Sequence, residues 1–174
     1  MFIVIDGIDG SGKWTQLALV QRELEKKWKK VLVLDFPRYW EKSAFAVEKY
    51  LNWEYWKNMS AKQKSLFFAI DRFDALHNIW TEIKKYDYII SNRYVSANMI
   101  HQWWLISEQS ERKKFLDWLE DLEYNIFKIP KPDKVIFLNV TPEMSNTLVE
   151  KKEKREYIKW NENKDINESD IQHM

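Results

Sequence analysis

The 174-residue sequence has no cysteine, which excludes disulfides and thiolate metal sites. No apolar run comes near the roughly 18 residues that a membrane-spanning helix requires. The start, Met1-Phe2-Ile3-Val4, reads as a strand and not as a signal peptide. An excess of either charge is also missing: 28 Lys and Arg face 27 Asp and Glu, and the net +1 gives no electrostatic case for duplex nucleic acid or a membrane surface. These absences lead us to expect a cytoplasmic protein without nucleic-acid or membrane partners. The length suits a single domain with a real core, residues 1–174.

Glycine is scarce as well. The chain has 3, where average usage of about 7% predicts roughly twelve. Against them stand 10 tryptophans, several where turn chemistry asks for glycine. Trp28 follows the first helical stretch and precedes a strand, a position where a left-handed backbone favours Gly. Trp40, Trp53 and Trp56 sit in polar loop-like contexts, Trp103-Trp104 is a pair beside Gln102, and Trp160 lies among Lys and Asn. Trp118 instead joins Phe115, Leu119 and Leu122 in an apolar helical stripe and reads as core. Trp80 fits neither group. The expectation is that most of these tryptophans are glycines in the cell. A gene that uses UGA for glycine, translated with UGA as tryptophan, gives this pattern. Eight such positions, the seven above and Trp14, plus three glycines give eleven, near the expected number.

All three glycines lie in Gly7-Ile8-Asp9-Gly10-Ser11-Gly12-Lys13-Trp14-Thr15. This segment follows the apolar run Phe2–Ile5 and opens a helix-like stretch from Gln16 to Lys27. Strand, glycine-rich loop with lysine, then helix is the P-loop context. Such a loop turns backbone N–H groups around a phosphate, the helix N-terminus adds partial positive charge, and Lys13 would neutralise β- and γ-phosphate oxygens. One position departs from the motif: after the lysine comes Trp14 and not the Ser or Thr whose hydroxyl reaches Mg²⁺.

Four strands are predicted, at Phe2–Ile5, Val31–Leu34, Tyr88–Ile90 and Lys134–Val140, with helices at Gln16–Lys27, Ser43–Leu51, Ala61–Lys84 and Glu108–Leu122. Alternating strands and helices predict an α/β fold: a parallel sheet covered by helices on both faces, with ligands at the carboxyl ends of the strands. Pro130-Lys131-Pro132 breaks structure before the fourth strand, and Thr141-Pro142-Glu143 looks like a helix N-cap with proline following.

Further clusters accompany the P-loop, in order: Asp35-Phe36-Pro37-Arg38-Tyr39, then Phe67-Phe68-Ala69-Ile70-Asp71-Arg72, then Asn92-Arg93-Tyr94-Val95-Ser96-Ala97-Asn98 with His101-Gln102, then Pro130-Lys131-Pro132-Asp133. Together they resemble the thymidylate kinase family, over nearly the whole chain. The resemblance implies a P-loop kinase fold that transfers the γ-phosphate of ATP to dTMP with Mg²⁺, and commonly a homodimer. It implies that Gly7, Gly10, Ser11, Gly12, Lys13, Trp14 and Thr15 hold ATP. Arg38 would bind the dTMP phosphate and Arg93 would lie near the transferred group. Asp9 would contact the deoxyribose 3′-hydroxyl and help order the metal, with Asn92 beside it. Phe68 would stack on thymine and Arg72 would donate to a base carbonyl. Asn98 and Gln102 would line that pocket, and Phe36 and Tyr39 would wall the sugar and phosphate end. Phe67 is kept as core. Arg155, in a lid-like segment at about 145–165, would close over the phosphates.

The chain departs from the family where Asn92 and Asn139 replace common acids, and an amide holds Mg²⁺ less well than a carboxylate. Asp165-Ile166-Asn167-Glu168 resembles a motif after which the family continues, so the fifth strand and the adenine loop are expected to be missing and one sheet edge open. As written, Trp14 is expected to impair ATP binding. Two other readings stay open: a kinase of another nucleoside monophosphate or a deoxynucleoside, and a nucleotide-binding protein without turnover.

Overall fold

The computed structural model describes residues 1–55, 58–141 and 144–145. The expectations for Trp56, Pro142, Glu143, Arg155, Trp160 and the lid-like segment past residue 145 lie outside these.

Among the described residues four parallel strands, β1 (Phe2–Gly7), β2 (Val31–Asp35), β3 (Tyr88–Asn92) and β4 (Lys134–Leu138), form one sheet in the order β2-β3-β1-β4. The period-2 alternation of strand side chains explains its two faces. Ile5, Val31, Val33 and Ile90 point to one face, where Leu17, Val20 and Leu24 of α1 (Lys13–Glu25) cover them. Phe2, Val4, Leu32, Leu34 and Ile89 point to the other. That face packs on α3 (Ala61–Ile79), α4 (Val95–Trp104) and α5 (Gln109–Glu120) through Leu76, Val95, Phe115 and Leu119. The expected α/β architecture with helices on both faces is present.

Local chemistry sets the boundaries. Ser60 and Gln63 form a reciprocal capping box that starts α3. Two segments differ from expectation. Residues 95–104 form α4, which periodicity did not isolate because its small and polar residues mask the apolar stripe. The last of the four helices expected from sequence, α5, continues into a π-helical turn, Asp121–Ile126. Short α2 (Phe45–Leu51) follows a 3₁₀ turn at Lys42–Ala44. The Lys-Pro-Asp motif is scaffold: Asp133 Oδ2 accepts from the Phe2 amide at 2.6 Å while its own amide donates to Phe2 O at 2.8 Å, which joins the start of β4 to the start of β1.

The glycine-like tryptophans separate by backbone. Trp28, Trp40 and Trp53 have φ of 59°, 79° and 60°, the left-handed region that favours glycine. Trp28 sits at the C′ position of α1: its amide donates to Glu25 O and the Lys29 amide to Leu24 O, the paired bonds of a Schellman cap. Trp53 repeats this after α2, with bonds to Tyr50 O and from the Glu54 amide to Lys49 O. Trp40 is the third residue of a turn closed by the Glu41 amide on Arg38 O, where positive φ asks for glycine. Trp14, Trp103 and Trp104 are helical instead. Trp103 packs on the core with the Arg112 guanidinium 4.1 Å from its ring centre, and the backbone gives glycine no advantage there. Trp118 packs on the core as expected.

Candidate active site

A cavity of about 510 Å³ opens at the carboxyl ends of β1, β2 and β3, where parallel sheets of this kind hold ligands. The β1–α1 loop forms one part of it. Gly7 is required by space: a Cβ there would lie 2.7 Å from Ser11 Oγ and 2.8 Å from Leu138 O. Gly10 and Gly12 take positive φ, and Gly12 is the N-cap of α1. The fold thus turns the chain sharply enough to bring the α1 N-terminus to the cavity. Lys13, 7% exposed, donates to Gly7 O at 2.9 Å and Ile8 O at 2.7 Å, and its ammonium lies 4.0 Å from Asp9. The loop therefore holds the ammonium at the cavity wall.

Asp9 also receives a short charge-assisted bond from Arg93. Arg93 has φ 62°, a left-handed conformation that costs an arginine free energy and that clusters at functional sites. Its amide donates to Ile5 O of β1, which anchors the bend between β3 and α4. The other guanidinium nitrogen lies 2.9 Å from His101 Nε2. Since arginine can only donate, that ring nitrogen must accept, leaving the His101 proton on Nδ1.

Asp35 and Asn92 are register partners at the ends of β2 and β3. Asn92 Nδ2 donates to Asp35 Oδ1 at 2.6 Å, while Asn92 Oδ1 is buried without a hydrogen bond. More than a third of Asp35 is open to solvent, yet the residue sits in a concave mouth that displaces surrounding water. This desolvation pushes its carboxyl above the usual range, and the Asn92 bond only partly offsets it.

The remaining wall comes from α3 and α4. Phe68 lines the cavity and packs edge-on to Tyr50, ring centres 6.2 Å apart. Phe67 packs with Tyr50 and Tyr55 in the small cluster around Val47 and Leu51. Asn98 Nδ2 donates to Ser65 O at 3.1 Å, and Gln102 Oε1 is buried with no partner. Arg72 lines the cavity and is paired with Glu123.

Of the residues expected from sequence, Asp9, Gly10, Gly12, Lys13, Trp14, Thr15, Phe36, Tyr39, Phe68, Arg72, Asn92, Arg93, Asn98 and Gln102 line this one cavity. Gly7 and Ser11 shape the loop behind it. Arg38 does not line it: its guanidinium is turned to Asp71, Asp74 and Ser43, although its neighbours Pro37 and Tyr39 are in the wall. Local sequence signals did not single out Asp35, His101 or Glu123 as site residues. For Glu123 a signal existed, a carboxylate continuing the apolar stripe Phe115, Leu119, Leu122.

A P-loop and a second, aromatic and amide-lined wall sharing one cavity fit a nucleotide kinase, and comparison with known proteins decides which. The family model described as thymidylate kinase matches residues 5–172. The chain belongs to the thymidylate kinase family. It is 30% identical over 147 residues to thymidylate kinase of Mycobacterium tuberculosis, covering 83% of this chain and 68% of that protein. The solved thymidylate kinase of Candida albicans superposes with TM-score 0.71 at 20% identity, over 99% of this chain and 72% of the other. That of Ehrlichia chaffeensis gives 0.62 at 22%, over 85% and 75%. These two show the shared fold. The chain is a phosphotransferase of the thymidylate kinase type, and membership does not favour the other nucleotide-binding readings.

Proposed function

We propose that this chain transfers the γ-phosphoryl group of ATP to dTMP, giving dTDP and ADP, in the cavity between the P-loop and α3–α4. The observation that carries the reading is the lining of that one cavity: Gly10, Gly12 and Lys13 with the start of α1 on one side, Phe68, Arg72, Asn98 and Gln102 on the other, and Arg93 in the same wall. In the transfer an oxygen of the dTMP phosphate attacks the γ-phosphorus, and the bond to the β–γ bridging oxygen breaks with its electron pair leaving on ADP. Such a transition state spreads negative charge over the moving group, so alignment and neutralisation dominate. Lys13 and Arg93 supply positive charge; the Gly7 and Ile8 carbonyls hold the lysine and Asp9 holds the arginine. Phe68 offers a face for the base, and Gln102 Oε1 is an unused acceptor suited to a ring N–H.

Mg²⁺ fits the donor set. It keeps waters and phosphate oxygens and needs only one or two protein oxygens; Asp9, Asp35 and the unpartnered Asn92 Oδ1 line the same cavity. When bound it would neutralise phosphate charge. By family membership the protein is further proposed to be a cytoplasmic homodimer acting on small molecules. No helix among the described residues is long and apolar enough to cross a membrane.

The test measures ADP formation with dTMP, dUMP, UMP, AMP and thymidine, for the chain as written and for Trp14→Gly. The expected outcome is turnover highest with dTMP. Calorimetric binding of dTMP without ADP release in either protein would overturn the transferase reading.

A further inference from the structure

Arg72 and Glu123 lie 51 residues apart in sequence and are both almost fully buried, at 2% and 0% exposure. Glu123 takes Arg72 Nε at 3.1 and 3.2 Å and the adjacent terminal nitrogen, Nη2, in a short bond. Among the described residues no hydrogen bond uses the other terminal nitrogen, Nη1, and Arg72 is part of the cavity wall. Glu123 itself sits in the π-helical turn that follows α5, in line with buried Phe115, Leu119 and Leu122. π-turns recur at functional sites because they re-aim side chains within a helix.

We infer that Glu123 is a positioning residue that aims Arg72 Nη1 at the 4-carbonyl of the pyrimidine and thereby sets the choice of base. The inference rests on the dTMP reading above and deepens it. A guanidinium is a planar fork, so fixing two of its nitrogens fixes the third. A bidentate carboxylate does this on one edge and leaves the opposite edge for a ligand. The carboxylate also cancels the cation's charge in a buried place, so that Arg72 presents a donor with little attraction for phosphate. Lys13 and Arg93 carry the phosphate-binding charge elsewhere in the cavity. A carbonyl oxygen accepts from that donor; the exocyclic amine of cytosine at the same position offers a donor against a donor. A site built on such a bond rejects the mismatched analogue because a buried group is left unpaired.

Calorimetric titration of dTMP and dCMP onto the chain as it exists and onto Glu123→Gln tests this. Because binding is measured, failure of turnover alone would count against the transferase reading and leave this result standing. The expected outcome is that the preference for dTMP over dCMP falls by about tenfold or more in Glu123→Gln. Should that variant lack a cooperative melting transition, Glu123→Asp keeps the charge but shortens the arm, and the same loss of preference is expected. A variant that only loosened the fold would weaken both nucleotides alike, so an unchanged dTMP-to-dCMP ratio in a folded variant overturns the inference.

Discussion

Asp71 grips Arg38 twice, taking its backbone amide at 2.8 Å on one carboxylate oxygen and its Nε at 3.0 Å on the other. Asp71 is fully buried, and Ser43 Oγ donates to it as well. The carboxylate thus fixes the chain just after β2, whose residues Phe36, Pro37 and Tyr39 line the cavity. Asp71→Asn retains shape and one acceptor but removes the charge. We expect a loss of about 2 kcal/mol of stability, typical of hydrogen bonds to a charged group, read by urea denaturation. An unchanged midpoint would show that the grip is incidental.

The same arginine gives a pH signature. Its hydrogen bond holds the Asp74 carboxyl below the ordinary 3.8. A depressed native value means stabilisation that is fully present above 3.8 and lost as pH falls through the lower native value. Asp74 is 45% exposed, so solvent screening limits the effect to about 1 kcal/mol or less. The stability difference between the chain and Asp74→Asn should be constant from neutral pH to about 4.5 and shrink below 3.8. A gap that widens on acidification would reverse the sign argued here.

Trp28 and Trp53 occupy left-handed cap positions where a side chain costs about 1–2 kcal/mol, part of which glycine returns as unfolded-chain entropy. Trp28→Gly and Trp53→Gly are each expected to stabilise by about 1 kcal/mol, while Trp118→Gly, half-buried against the core, destabilises by about 2 kcal/mol or more. Thermal or chemical melts decide the order. Mass spectrometry of the natural protein is expected to find glycine at residues 28, 40 and 53. Tryptophan at residue 28 or 53 would refute the recoding idea.

Trp14 is 56% exposed, lines the cavity and stands at the second position of α1, directly after Lys13. An indole there occupies space beside the phosphate loop. Trp14→Gly should tighten ATP by about tenfold, or ~1.4 kcal/mol, in calorimetry without Mg²⁺. Equal affinities would place the indole outside the nucleotide's path.

Asp35 supplies the carboxylate that Asn92 lacks, one strand over and hydrogen-bonded to it. Asp35→Asn is expected to weaken Mn²⁺ binding in the presence of ADP by about tenfold, read by electron paramagnetic resonance. The exchange Asp35→Asn with Asn92→Asp should restore it. Undiminished Mn²⁺ binding in the single variant would leave Asp9 as the metal carboxylate.

The P-loop was legible because its chemistry is local. Spacing between Gly7 and Lys13, an apolar strand before and a helix after lie within one short segment, while the lack of room for a Cβ at Gly7 comes partly from Ser11 in the same loop and partly from distant Leu138. The strands were legible for the same reason: a half-buried or buried sheet residue is selected by neighbours two positions away. Trp28 and Trp53 were legible as misfits because helix caps demand a particular backbone angle. By contrast, α4 was not legible, since Ala97, Asn98, His101 and Gln102 line a cavity and Ser96 bonds to Asp6, and these residues interrupt the apolar rhythm.

From its residues alone, then, the chain settled its layered parallel sheet, the glycine-rich turn into α1 and its family, because the motifs that mark each are short. Pairing was decided only by tertiary structure. Arg93 meets Asp9 across 84 residues, Asn92 meets Asp35 across 57, Arg72 meets Glu123 across 51, and Arg38 turns to Asp71 and away from the cavity. An arginine's motif says that a cation is needed. Which carboxylate it faces depends on sheet register and helix packing, which bring distant residues into a low-dielectric interior where an unpaired charge is too costly to leave.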